Sequence, residues 1–223
     1  MNQGLGREPG AVLAQGSRAL GLHLSPATQA QLLDFVALLL KWNRVYNLTA
    51  LRDPQEAITH HVLDSLSLLS PLLRYTQGRP TRVLDVGSGG GLPGVVLAIC
   101  RPELDVTCVD AVAKKAAFIQ QVAGTLGLGH LHGVHARVET LTQTWPLITS
   151  RAFASLADFT AWSQAALAPG GCWLAMKGKR PDQEIAALPA SVQVFHVEPL
   201  EVPGLAAQRC LVWMAPSGQA PLV

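Results

Sequence analysis

The run Val83-Leu84-Asp85-Val86-Gly87-Ser88-Gly89-Gly90-Gly91-Leu92-Pro93-Gly94 constrains this chain more than any other segment. A short apolar stretch that ends in glycines and leads into a helical pattern up to Cys100 predicts a strand, a tight turn and a helix. Glycines let the backbone turn sharply and approach a ligand without a Cβ clash. Residues 89–94 match G-x-G-x-x-G, which alone is a weak signal. The D-x-G-x-G form says more, because an acid at the strand end, Asp85, suits a ligand with a cationic head better than a pyrophosphate.

The same grammar repeats downstream. Leu104–Val109 reads as a strand and Ala113–Leu126 as a helix. Strands follow near Leu131–His135, Leu147–Ala152 and Cys172–Lys177, with a helix over about Asp158–Leu167 between the last two. Val192–Val197 and Arg209–Met214 flank a Pro/Gly turn and read as an antiparallel pair. Strand–helix alternation of this kind predicts an α/β fold, a doubly wound, mainly parallel sheet with an antiparallel C-terminal edge, over residues 81–223.

Residues 1–80 predict a helical N-terminal extension. Ser25 and Pro26 open a helix whose Leu32, Leu33, Phe35, Val36, Leu39 and Leu40 recur at helical spacing. Lys41–Thr49 breaks that stripe. Asp53-Pro54-Gln55-Glu56 reads as a capping box for a second helix that runs to about Leu69 and ends at Ser70-Pro71. Residues 1–16, glycine-rich and poorly patterned, read as a loose start.

Composition narrows the function classes. The chain has 223 residues, 49% hydrophobic and 14% charged, enough for a sizeable core and incompatible with general disorder. No apolar run reaches the ~18 residues of a membrane span, and no basic-then-apolar leader is evident. Cys100, Cys108, Cys172 and Cys210 match neither zinc nor redox spacing, which predicts reduced cysteines and a cytoplasmic location. The net charge of +2 does not itself announce nucleic acid, so polyanion binding must rest on local clusters. Monomer is the default state.

Ligands of open α/β sheets lie beyond the carboxyl ends of the strands. Here those ends carry Asp85, Asp110, Val138-Glu139, Arg151 and Lys177. The sulfonium and ammonium of S-adenosylmethionine suit this acidic, phosphate-free arrangement; a nicotinamide or flavin cofactor, or a turn without ligand, are the competing readings. Asp110 is placed to accept both ribose hydroxyls or to cap a helix. Glu139 is placed to meet adenine or to be a solvated loop acid. His130, His132 and His135 lack the spacing of a zinc site, and a strand would turn His135 away from the other two.

Trp42-Asn43, Tyr46-Asn47-Leu48-Thr49, His61-Val62-Leu63-Asp64-Ser65, Asp85–Gly94, Arg101-Pro102-Glu103, Asp110 with Lys114-Lys115, Ser150-Arg151-Ala152 and Met176-Lys177-Gly178 occur in one order. Together they resemble the bacterial 16S ribosomal RNA guanine-N7 methyltransferases, the glucose-inhibited division protein B family, from about Ala19 to Met214. The resemblance implies a class I (Rossmann-like) methyltransferase fold with a helical extension. It also implies methyl transfer from S-adenosylmethionine to N7 of guanine 527 in 16S rRNA of the small ribosomal subunit. On that resemblance Gly87, with Gly89 beside it, and Leu92 flank the methionine part of the cofactor, Val138-Glu139 lie by the adenine, and Arg151 sits where cofactor and target base meet. The family often has Arg-His where this chain has Arg209-Cys210, which is a departure.

The chemistry agrees with what the sequence lacks. It has no Asn-Pro-Pro-aromatic segment to grip an exocyclic amine and no Pro-Cys pair to attack a pyrimidine. Guanine N7 needs neither, since its lone pair is free. Arg151 and Lys177 are the candidates for orienting guanine and its phosphates, against the reading of ordinary surface cations. Candidate RNA contacts are Asn43, Asn47, Lys114, Lys115, Lys179, Arg180 and Arg209. The two asparagines serve equally as stitches between extension and sheet, and Lys114-Lys115 as a solvated helix face. A small-molecule methyltransferase with an N-terminal lid and a non-enzymatic RNA-binding module are the alternatives.

Overall fold

The computed structural model describes residues 8–219. Residues 1–7 of the expected loose start lie outside the described part, and the rest of that start is a helix. Helix α1 (Pro9–Ala19) begins with proline in its first turn, and its Leu13 is fully buried. Gly16 is there for packing: a Cβ would stand 2.4 Å from a Leu63 methyl. A glycine-rich stretch is therefore ordered by what it lies against.

Ser25 caps α2 (Pro26–Tyr46), its hydroxyl accepting from Thr28 N at 3.1 Å. The helix continues through Lys41–Tyr46, beyond the apolar stripe, because Trp42 packs on Phe118 at 5.5 Å and Asn43 is buried. Asn47, at φ 49°, ends it in the left-handed conformation that asparagine tolerates. Asp53 caps α3 (Pro54–Ala57) through the amides of Gln55 and Glu56, as the sequence predicts. A π turn (Ile58–Leu63) and α4 (Asp64–Leu66) follow. Ser70-Pro71 does not end this region. It lies in the first turn of α5 (Leu69–Thr76), where a proline costs no helical hydrogen bond.

The sheet contains β1 (Thr81–Val86), β2 (Leu104–Asp110), β3 (Leu131–His135), β4 (Trp145–Arg151), β5 (Leu167–Lys177), β6 (Val192–Pro199) and β7 (Cys210–Pro216). Its order is β3-β2-β1-β4-β5-β7-β6. The first five strands are parallel, and β7 is antiparallel to both β5 and β6. Helices α6 (Gly94–Cys100), α7 (Ala113–Leu126), α8 (Leu156–Ser163) and α9 (Asp182–Ala186) complete the fold. This is the doubly wound sheet with an antiparallel edge expected from sequence. Strand β5 starts earlier than expected, and α8 is displaced toward its cap, Ser155.

Two cores sandwich the sheet. One joins α1–α5 to a sheet face, with Leu13, Phe35, Leu39 and Leu63 in the same cluster as Val83, Val106, Phe118 and Leu174. The other, on the opposite face, contains Leu84, Ile148, Phe159 and Trp173. Strand order reverses between β1 and β4, and there the turns diverge to open a crevice. Cys108, Cys172 and Cys210 are buried, and all four cysteines are free. Among the described residues no helix is long and apolar enough to cross a membrane.

Candidate functional site

The crevice beyond β1, β2 and β4 is a cleft of about 340 Å³, a size typical of small-molecule sites. Gly87, Asp110, Lys115, Val138 and Glu139 line it together, as do Phe153 and Trp162, which the sequence reading missed. Gly87 has φ 65°, and a Cβ there would stand 2.0 Å from the Phe153 ring. Only glycine lets the ring close over the turn. Phe153 meets Trp162 edge to face at 5.7 Å, making an aromatic wall.

Asp110 is 6% exposed and opens onto the cleft. Its carboxylate accepts from Val112 N at 2.9 Å and Gly89 N at 3.1 Å, and pairs with Lys115 at 3.5 Å. A carboxylate has about four lone-pair sites, so one remains for a hydroxyl donor beside these three. Glu139 is exposed at the rim. Hydrogen bonds from its own amide and from Arg137 lower its carboxyl below the usual range.

Asp85 is fully buried and does not line the cleft, so it does not meet a ligand directly as the sequence reading expects. Its Oδ2 accepts from Gly94 N at 2.8 Å, which fastens the far end of the glycine loop, while Oδ1 has no partner among the described residues. Burial drives its carboxyl up to about 7. Leu92 also lies beneath the loop, buried. Both shape the turn from below because β1 enters the core before the chain turns.

A second cavity adjoins the first and shares Ala152 with it. Its lining includes Thr49, His60, His61, Asp64, Arg151, Lys177 and Arg209. Ala152 has φ 52°, a strained conformation for a side chain with a Cβ, immediately after Arg151. Arg151 Nη1 donates to Asp64 Oδ2 at 2.7 Å and to the His60 carbonyl at 3.0 Å. Arg209 Nε donates to the other oxygen, Asp64 Oδ1, at 2.8 Å. One carboxylate, 2% exposed, thus holds two guanidiniums. Asp64 stands in a quoted motif but carries no local sign of this role.

His61 completes the frame. Its Nε2 lies 2.6 Å from Thr49 Oγ1, and its Nδ1 lies 3.3 Å from Arg151 Nη2. Burial, then the Arg151 charge, lowers the ring to about 4. The ring is neutral at pH 7, with Nδ1 between the Arg151 guanidinium and the His60 carbonyl, which is 3.1 Å away. π turns recur at functional sites, and this one presents the His60 carbonyl and the His61 ring to the same arginine.

Lys177 is not a free cation: Nζ donates to Glu184 Oε2 and to the Ala154 carbonyl, both at 2.8 Å. Arg180 pairs with Asp182 at 2.7 Å, while Lys179 and Lys114 are exposed. Asn43 is spent inside the fold, donating to Leu51 O at 3.0 Å and accepting from Thr49 N at 2.8 Å. Asn47 is exposed, beside a third cavity. The three histidines go separate ways, His130 to Ala98 O, His132 to Asp105 and His135 to Ala111 O.

This sheet, with its glycine loop and an acid at the end of β2, has the class I methyltransferase fold. Among solved structures the fold is similar to a SAM-dependent methyltransferase from Aquifex aeolicus (TM-score 0.55, 14% identity, 75% of this chain and 96% of that one). It is also similar to the N-methyltransferase NodS from Bradyrhizobium japonicum WM9 in complex with S-adenosyl-L-homocysteine (TM-score 0.52, 12% identity, 81% and 98%). Residues 28–212 match the family model GidB, rRNA small subunit methyltransferase G. A ribosomal RNA small subunit methyltransferase G from Acidovorax sp. (strain JS42) is 66% identical over 92% of this chain and 94% of its own length. The chain belongs to the rRNA small subunit methyltransferase G family.

Proposed function

We propose that this protein transfers a methyl group from S-adenosylmethionine to N7 of guanine 527 in 16S rRNA, with the cofactor in the cleft and guanine in the adjoining cavity. The observation that carries the reading is Arg151, anchored by Asp64 and His60 at the junction of the two. The cleft fits an adenosine moiety: Asp110 offers an acceptor for one ribose hydroxyl and a second where the ribose displaces the 3.5 Å contact with Lys115, and the Gly87 turn admits no bulk. Val138 and Phe153 supply apolar surface, and Glu139 at the rim is an acceptor for an exocyclic amine. Gly89 shapes the turn through its bond to Asp110, while Asp85 and Leu92 support it from beneath.

Bound there, S-adenosylmethionine supplies an electrophilic methyl group. The chain's own part is positioning. Arg151 presents a planar fork suited to guanine O6 or a phosphate, and its orientation is set by Asp64 and the His60 carbonyl. Lys177, held by Glu184, keeps the Ala154 segment against the end of β5.

Atom specificity follows from what the cavity's described lining lacks. Its one carboxylate, Asp64, is held by two arginines, and of its two imidazoles the inner one, His61, is poorly basic while His60 is exposed at the mouth. Such a site supports methylation of a nitrogen with no proton to lose, and guanine N7 is that nitrogen. Lys114, Lys115, Lys179, Arg180 and Arg209 are proposed to meet the surrounding RNA. Small subunits lacking the modification, incubated with the protein and methyl-labelled S-adenosylmethionine, should yield N7-methylguanosine on digestion. Recovery of N1- or N2-methylguanosine would overturn the atom assignment.

A further inference from the structure

The loop between α2 and α3 separates two cavities. Thr49, Ala50 and Leu51 face the one that holds Arg151. Asn47, Arg44, Arg52 and Pro54 bound the other, of about 460 Å³. The Asn43 amide fixes this loop from both sides, through Leu51 O and Thr49 N, and folds it back so that Arg52 comes beside Arg44 in the last turn of α2. Asp53, the acid next to Arg52, is occupied in capping α3.

Charge availability sets this cavity apart. Lys177 and Arg180, within the densest basic run of the sequence, are neutralised by Glu184 and Asp182. Arg44 and Arg52 are exposed and form no ion pair with any described residue. Lys114 extends this basic surface: Gln31 bonds to Leu126 O and Trp42 packs on Phe118, so α2 and α7 run antiparallel and the end of α2 comes to the start of α7. A strand that inserts a base beside Arg151 and continues over the loop 49–51 brings its neighbouring phosphates to this cavity.

We propose that the cavity bounded by Arg44, Asn47 and Arg52 binds backbone phosphates of single-stranded RNA adjoining the nucleotide that enters the Arg151 cavity. The inference rests on the proposed RNA substrate. Two guanidiniums on a loop fixed by Asn43 give a preorganised fork for phosphate oxygens, and the Asn47 amide adds a neutral donor.

The test is a salt titration of binding to a fluorescent single-stranded RNA oligonucleotide with the 16S rRNA sequence around guanine 527, comparing the parent with Arg44→Gln/Arg52→Gln. Single-stranded phosphates release about 0.7 counterion each, so the slope of log affinity against log salt should fall by about 1.4. Affinity at physiological salt should drop on the order of tenfold. S-adenosylmethionine binding and the melting temperature should not change, since both arginines are exposed and outside the cleft. Lys179→Gln should alter the slope less. An unchanged slope and affinity in the double variant would overturn the proposal. So would loss of methylation on assembled subunits with normal oligonucleotide binding, which would place the contact on a ribosomal protein. If the parent neither binds nor methylates RNA, the proposed function fails first, and this inference with it.

Discussion

Asp64, the first residue of α4, holds Arg151, the last residue of β4, through a 2.7 Å ion pair. The pair links the helical extension to the sheet where two cavities meet, and the same carboxylate binds Arg209 from the loop before β7. The extension is therefore a wall of the site as well as a cover for one sheet face.

Removing that carboxylate leaves two partly buried arginines without their counterion. Asp64→Ala should cost about 3–5 kcal/mol in urea unfolding. Asp64→Asn retains the shape and should fold better, with methyl-transfer rate reduced more than S-adenosylmethionine affinity. Equal losses in both would show that Asp64 acts through the cleft, not through Arg151.

Asp110→Ala should weaken S-adenosylmethionine by about 1.5–3 kcal/mol, roughly 10- to 150-fold, as expected for hydrogen bonds to a charged acceptor. Calorimetric titration measures it directly. Unchanged affinity would put the ribose contact elsewhere.

Asp85 imposes a pH dependence on the ligand-free protein. Its carboxyl lies at about 7 in the fold against 3.8 unfolded, so between those values the folded state binds the extra proton. The contribution of Asp85 to stability should fall as pH rises from about 4 to 7 and level off above it, by up to about 4 kcal/mol. Asp85→Asn lacks this slope. The stability difference between variant and parent should therefore shift in favour of the variant between pH 5 and pH 8.

His61 works in the opposite direction. Its ring is lowered to about 4 from 6.5, so in that window the unfolded chain takes up the proton and stability rises with pH. The His61 ring signals in NMR should show no titration from pH 8 down to 6. A midpoint near 6.5 would contradict the burial of the ring and its contact with Arg151.

Much of the sheet was legible because its signals are local. Ala113–Leu126 and Leu131–His135 have the expected bounds, with Gly127 at φ 66° as the helix stop. Errors arose where tertiary contacts override local preference. Trp42 and Asn43 prolong α2 by packing and by bonding a loop; Gly16 is where Leu63 approaches; Pro71 opens a helix that its sequence context reads as ending. For the site, the cleft residues at strand ends were legible because topology places them there. The Asp64–Arg209 pair joins residues 145 positions apart, and no spacing rule connects them. Arg44 and Arg52 gained significance only once the ion pairs elsewhere were known.

The most direct test of a guanine-N7 enzyme acting at position 527 is chemical. N7-methylguanosine is cationic, and borohydride followed by aniline cleaves the RNA strand at it. Small subunits treated with the protein and S-adenosylmethionine should give a new break at guanine 527, absent without the protein and strongly reduced with Arg151→Ala. A break at another guanine would refute the position, and methyl incorporation without any break would refute N7.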